Sequence, residues 1–347
     1  MKIIICAANT TKLSKDSLTS RPIGGADQAL LRMIKGLGKH YEVFAYMNIE
    51  KETTENLVTY RPYHEILNER EADLLIVYRN NMELQDMKVK KKVFYSQDDV
   101  DAPCISSATA GYFAEFDKVI VLSKYHKDRF KDIFEIPEDK FIIIGNAADK
   151  QHEIPFTRTQ DFIYCSTPFR GLHILGIIWK DILKLYPDAR LHVFSSMKIY
   201  DGENEEIHFE ELYRRLQTLD GVIYYGSKPQ AEVLACMKIC KLMLYPNVFP
   251  ETYCNAIMEA RACKTPFITS AKGALEETGG KAGVYVKGDP YDPEYRQRFV
   301  AAFVEVMENK QLYDDLVNSC YPIRTWENWL VEIVIDLMET LDLVKVK

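Results

Sequence analysis

The chain has 347 residues, 47% of them hydrophobic and 27% charged, enough for two α/β domains with cores of their own. A net charge of −7 and a pI near 5.6 argue against a nucleic-acid binder, because phosphate backbones require basic faces. No apolar run approaches the roughly 20 residues of a membrane span, which leaves room only for a peripheral membrane contact.

MKIIICAANTT at the start has a short apolar run and no cleavage-type tail, so it reads as a first strand rather than a signal peptide. After KIIICAA come EVFAYMN, LLIVYR, KVFYSQ, KVIVLS and FIIIGN, then FIYCST, RLHVFSS, VIYYGS, LMLYPN, PFITSA and GVYVK. These near-continuous apolar runs, separated by helical stretches, predict parallel strands covered on both faces. Six followed by six predicts an α/β protein of two doubly wound, Rossmann-like domains. The pattern pauses over KQHEIPFTRTQ, Lys150 to Gln160, which sets the expected domains at 1–152 and 153–322. So short a pause predicts domains that lie close, with a cleft between them. From Thr325, TWENWLVEIVIDLMETLDLV has helical periodicity, so residues 323–347 are expected to form a helix packing back on the first domain.

The eight cysteines, Cys6, Cys104, Cys165, Cys236, Cys240, Cys254, Cys263 and Cys320, are scattered, as suits reduced, buried thiols in a cytoplasmic protein. Cys236 and Cys240 have helical i, i+4 spacing, but no histidine lies nearby in the sequence to complete a zinc set, and core packing is expected.

In doubly wound sheets ligands bind outside the carboxyl ends of the strands, so chemistry is expected in the loops that follow the strands. The first, Ala8 to Ile23, closes with Gly24 and Gly25 at the start of a helix, where free N–H groups can face an anion or simply open a surface helix. The dinucleotide fingerprint G-x-G-x-x-G is absent, which removes a nicotinamide-dependent dehydrogenase. Tyr78-Arg79-Asn80, after the third run, is a lesser polar candidate. In YSQDDVDAPC, Asp98 and Asp99 are open between a metal site, a base and a solvated turn. Ser123 caps a helix ended by the Pro137 turn, its lysines and arginine reading as a solvated face, and Asn146 follows the next strand. In STPFRGL, Arg170 stands at a helix start, where guanidinium and helix dipole both favour an anion. Gly226 and Ser227 end the VIYY strand, where a flat base could lie against the backbone. Finally, FPETYCNAIMEARAC predicts a helix from near Thr252 to about Cys263. The amides of Thr252, Tyr253, Cys254 and Asn255 would then form its first turn, with Glu251 before it and Glu259 one turn deeper than Asn255. Amides flanked by two carboxylates suit a diphosphate that carries hydroxylated sugars at both ends.

Glu251-Thr-Tyr-Cys-Asn-Ala-Ile-Met-Glu259 resembles the E-x7-E motif of the retaining glycosyltransferases with the GT-B fold (group 1, family 4 type). Gly24-Gly25-Ala26, IVLSKYHKDRF, IIIGNAAD, STPFRGL, PDARLHVF, YPNVFPET, EARACKTPFITSAKGALEETGG, GVYVKGDP and the TWENW helix follow in that family's order. The resemblance spans nearly the whole chain, most strongly from Phe162 to Pro290 and least from Asn48 to Arg70. It implies that Glu251 contacts the transferred sugar, that Glu259 contacts the ribose, and that Arg170 with the amides of Thr252 to Asn255 holds the diphosphate. It further implies that Gly24 and Gly25 approach the sugar phosphate and that Gly226 and Ser227 border the base. The family's second basic residue near Arg170 is replaced by Ser166 and Thr167, a serine variant that the family does contain. The family's histidine near the donor sugar falls where this chain has Asp98 and Asp99, which are expected to stand in for it as catalytic residues beside Arg170 and Glu251.

The implied activity is transfer of a sugar, with retention, from a UDP- or GDP-sugar to an acceptor hydroxyl on a glycan, lipid or protein. No cofactor or metal is expected, since Asp99-Val-Asp101 has the Asp-x-Asp spacing of a diphosphate-bound metal site but lies in the first domain. A nucleotide-sugar epimerase or hydrolase on the same fold, and a non-catalytic nucleotide-sugar-binding protein, are the alternatives.

Overall fold

The computed structural model describes residues 1–81, 87–151, 158–200 and 203–343. It divides into two compact units: Met1–Asn146 together with Trp326–Lys347, and Ala147–Thr325. The expected boundary at 152/153 lies outside the described residues.

The first unit holds β1 (Lys2–Ala7), β2 (Glu42–Met47), β3 (Thr53–Glu55), β4 (Val58–Pro62), β5 (Glu71–Tyr78), β6 (Lys88–Tyr95), β7 (Lys118–Val121) and β8 (Phe141–Ile143). Their order is β3-β4-β2-β1-β5-β6-β7-β8, parallel except for the antiparallel pair β3/β4. All six runs expected of this half are strands. The two additional ones, β3 and β4, fall in ETTENLVTYRP, where a short polar edge hairpin offers no apolar run to read. Helix Trp326–Thr340 belongs to this unit and packs on helix Gly25–Leu37, with Leu330 against Gly36 and the Arg32 guanidinium 4.9 Å from the Trp326 ring centre. The expected return of the chain's last helix is present.

The second unit holds β9 (Asp161–Cys165), β10 (Arg190–Phe194), β11 (Val222–Tyr224), β12 (Leu242–Tyr245), β13 (Phe267–Ser270) and β14 (Gly283–Val286). All are parallel in the order β11-β10-β9-β12-β13-β14. Counted within the unit this is 3-2-1-4-5-6, the doubly wound order in which the chain reverses direction between its first and fourth strands. Its core is lined by Phe162, Trp179, Leu191, Met243, Ile268 and Phe303. The order matters for function because a crevice opens where the winding reverses, here between the loops after β9 and β12.

Candidate functional site

Those two loops meet. After β9 the chain makes a short turn at Pro168–Arg170, passes through Gly171 at φ +112°, and enters helix Leu172–Leu185. A Cβ at Gly171 would collide with the Pro246 carbonyl behind β12, so only glycine lets the two loops approach this closely. The approach brings Arg170 to Glu251, 81 positions apart in the chain. Arg170 Nη1 donates to Glu251 Oε1 at 2.6 Å and to Oε2 at 2.7 Å, and the Tyr245 hydroxyl donates to Oε1 at 2.6 Å. Glu251 is only 4% exposed. The guanidinium also lies 4.7 Å from the Phe249 ring centre and 5.4 Å from that of Phe169. Burial disfavours its charge, but Glu251 outweighs that and keeps Arg170 cationic at any working pH.

Two donors of this loop stay unanswered. Arg170 Nε and Thr167 Oγ1 are buried and meet no hydrogen-bond partner, an uncommon state for buried polar atoms. Ser166, at the second position where the family's basic residue is missing, sits 3.4 Å from the Tyr245 hydroxyl.

The helix of the E-x7-E segment begins later than expected. It spans Asn255–Ala262 with Cys254 as its N-cap, so Thr252, Tyr253 and Cys254 precede it and only Asn255 stands in its first turn. Ala274 N–H bonds the Glu251 carbonyl at 2.8 Å, and Gly273 presses its backbone against Glu251. That contact holds the segment out of helical conformation. Glu259 lies one turn into the helix, half-buried, where its charge raises the thiols of Cys165, Cys254 and Cys263 in addition to their burial. Gly226, at φ +69°, and Ser227 follow β11 and lead through Lys228 and Pro229 into helix Gln230–Ile239.

In the first unit, the loops after β1, β5 and β6 converge on Arg79, which sequence reading rated a lesser candidate. Arg79 donates to Asp98 from Nε at 2.6 Å and from Nη2 at 3.1 Å, and its Nη1 lies 3.7 Å from Asp27. Asp27, in the first turn of helix Gly25–Leu37, accepts from Thr11 Oγ1 at 2.6 Å, and Arg21 reaches back to Thr11 and the Lys12 carbonyl. The long first loop is thereby strapped to the helix that Gly24 caps and Gly25 begins. Burial pushes the Asp27 carboxyl up. Burial also acts upward on Asp98, but Arg79 pulls harder and leaves it below the usual carboxylate range. Asp99 accepts from Val100 N–H and pairs with Arg129, whose side chain stays 37% exposed. His126 is fully buried, accepting from Leu122 N–H at Nδ1 and facing the Asp98 carbonyl at 2.8 Å from Nε2. Burial drives its pKa down to about 4, so it is neutral, with the proton on Nε2. Asn146 exchanges two amide hydrogen bonds with Gln97, both buried.

Two parallel, doubly wound sheets, with the last helix returning to the first unit, are the GT-B glycosyltransferase fold. Similar solved structures are sucrose-phosphate synthase from Thermosynechococcus elongatus (12% identity, 99% of this chain and 100% of that one, TM-score 0.74) and a glycosyltransferase from Rickettsia africae (13%, 98% and 98%, 0.68). HepE from Anabaena, solved in complex with UDP-glucose, is also similar (15%, 99% and 100%, 0.67). No curated protein matches in sequence. Residues 170–321, which run from Arg170 through both glutamates, match the family described as "Glycosyl transferases group 1". That segment, a little under half of the chain, is what is similar to the group 1 glycosyltransferases. Among the described residues no helix is long and apolar enough to cross a membrane.

Proposed function

We propose that the protein transfers a hexosyl group, with retention of anomeric configuration, from a UDP- or GDP-sugar to an acceptor hydroxyl. The observation that carries this reading is the pair Arg170–Glu251 at the winding reversal of the second sheet, followed eight residues on by Glu259. Arg170 spends Nη1 on Glu251, leaving its unbonded Nε for a phosphate oxygen. A carboxylate offers about four acceptor positions. Oε1 of Glu251 is filled by Arg170 and Tyr245, whereas Oε2 has one partner and can accept from a sugar hydroxyl. Thr252 to Asn255 and the N-terminus of the following helix would receive the diphosphate, and Glu259 the ribose. Gly226 and Ser227 would border the base. In the first unit, Gly24 and Gly25 are proposed donor contacts on the resemblance, Asn146 on its place after β8, and Asp98 and Asp99 are proposed catalytic residues of the loop after β6.

Negative charge grows on the leaving diphosphate in the transition state, and a fixed guanidinium and amides stabilise it there more than in the ground state. The departing phosphate oxygen would take the acceptor proton on the face it leaves. The reaction needs no added metal. HepE and a trehalose-6-phosphate protein from E. coli were solved with UDP-glucose and UDP-2-fluoro glucose, which favours a UDP-sugar as the first donor to test.

The test is to screen nucleotide sugars for thermal stabilisation of the purified protein, since a ligand of the folded state raises the melting point. The stabilising donor is then incubated with glycan, lipid and peptide acceptors in the presence of EDTA, and product configuration is read by NMR. An α-configured product from an α-linked donor is expected. An inverted product, sugar release or epimerisation without acceptor, or binding with no turnover would each overturn the proposal.

A further inference from the structure

The second unit carries a cluster that the transfer reaction does not use. Cys236 and Cys240 lie at the end of helix Gln230–Ile239 and just beyond it, and β10 brings His192 to them. The two sulfurs are 3.9 Å apart, and these and a His192 ring nitrogen all lie within 4.8 Å of one another. Sequence alone offered no histidine near the cysteine pair, because this one arrives from a different strand.

The histidine is held for a ligand's role. Its ring is 7% exposed; Nδ1 sits 3.0 Å from the Tyr225 hydroxyl, and Tyr225 is itself stacked on Phe194 at 4.5 Å. That contact accounts for one nitrogen. The other, Nε2, is buried and meets no hydrogen-bond partner of acceptable geometry, although Asp161 Oδ2 lies 3.3 Å away. Asp161 is already paired with Arg190 at 2.8 Å, so its charge is balanced. A buried imidazole nitrogen whose nearest carboxylate is already committed to Arg190, set beside two thiols, is well suited to coordination.

We propose that Cys236, Cys240 and His192 Nε2 bind one Zn²⁺, with water or a small ligand in the fourth position. Tetrahedral zinc, with Zn–S near 2.3 Å, places two sulfurs about 3.8 Å apart, which matches the observed spacing. Binding releases the two thiol protons, and the two thiolates cancel the charge of the ion. Tyr225 fixes the ring tautomer, as partners behind metal-bound histidines commonly do. His192 lies mid-strand in β10 and Cys240 just before β12 begins, whereas Arg170 and Glu251 follow the carboxyl ends of β9 and β12. The cluster is therefore separate from the transfer site, and zinc here would tie helix Gln230–Ile239 to the sheet.

The full chain, reduced and stripped with chelator, is titrated with Co²⁺ and then Zn²⁺. One equivalent of Co²⁺ should give thiolate charge-transfer and tetrahedral d–d absorption, which Zn²⁺ bleaches. His192→Gln, Cys236→Ala and Cys240→Ser should each weaken binding by about tenfold or more. Cys236 is half-buried, so Cys236→Ala should fold, and its melting point should no longer rise on adding Zn²⁺. Failure of the wild-type chain to take up an equivalent, uptake unchanged in the three variants, or oxidation to a Cys236–Cys240 disulfide with no uptake by the reduced protein would each overturn the proposal.

Discussion

Arg170→Ala probes the donor site most directly, because it acts on stability and on transfer through different atoms. Removing the guanidinium leaves the Glu251 carboxylate 4% exposed with the Tyr245 hydroxyl as its remaining side-chain donor. Losing one partner of a buried pair costs ~3–5 kcal/mol, and the lower end applies here because the Arg170 side chain is 22% exposed. For a unit of this size each kcal/mol moves the melting point by about 2–4 °C, so ~3 kcal/mol corresponds to a fall of about 6–12 °C. Arg170→Ala/Glu251→Gln removes the stranded charge and should recover at least about half of that loss, although it has lost more native contacts. Loss of one preorganised donor to the developing charge should lower kcat by about 10²–10³-fold, with a smaller change in donor affinity. Calorimetry of wild type, both single variants and the double variant, alongside initial rates, forms the assay. A single variant as stable as wild type, or a double variant no more stable than Arg170→Ala, would refute the buried-pair argument. Unchanged turnover would refute the site.

Glu259→Ala should weaken donor binding by roughly tenfold, the worth of about 1.4 kcal/mol, while thermal stability without donor changes little; equal donor titrations for variant and wild type would contradict the ribose role. Gly273→Ala should destabilise the second unit by about 1–3 kcal/mol and lower transfer, since φ is +57° and a Cβ would stand 2.5 Å from the Glu251 carbonyl oxygen; urea unfolding measures the first effect. Asp98 has its folded-state pKa below its unfolded value near 4. Its contribution is therefore complete above about pH 4 and is lost as pH falls through the folded value, so Asp98→Asn should lower stability at neutral pH and flatten the acid side of the curve.

Twelve of the strands were legible because each is an apolar run bounded by polar or glycine residues, and a parallel sheet covered on both faces demands such runs. The hairpin of β3 and β4 was not, since ETTENLVTYRP lies on an edge and owes its form to pairing with β2. Arg170, Glu251 and Glu259 were picked out by local context, but their arrangement was not. The Arg170–Glu251 pair depends on Gly171 letting two loops touch, and the late helix start depends on Gly273 and Ala274, which follow the helix in the chain. Arg79 was underestimated for the same reason: its partners come from a helix start, Asp27, and from another loop, Asp98, and charge alone cannot show that these meet at one place. The cluster of Cys236, Cys240 and His192 is the sharpest case, a sequence-local cysteine pair joined by a histidine from β10.

The first unit is written in two instalments, Met1–Asn146 and Trp326–Lys347, with the whole second unit between them. On the ribosome this fixes an order of events. Residues 147–325 can collapse around their own core as soon as they emerge, whereas helix Gly25–Leu37 must wait for them before helix Trp326–Thr340 covers it. Until then Gly36 and Arg32 lack Leu330 and Trp326, and the earliest-made part of the chain is the last to be finished. A stop near residue 325 would spare the family-matched region yet leave the first unit with an apolar helix face in water, prone to aggregation for reasons unconnected with chemistry.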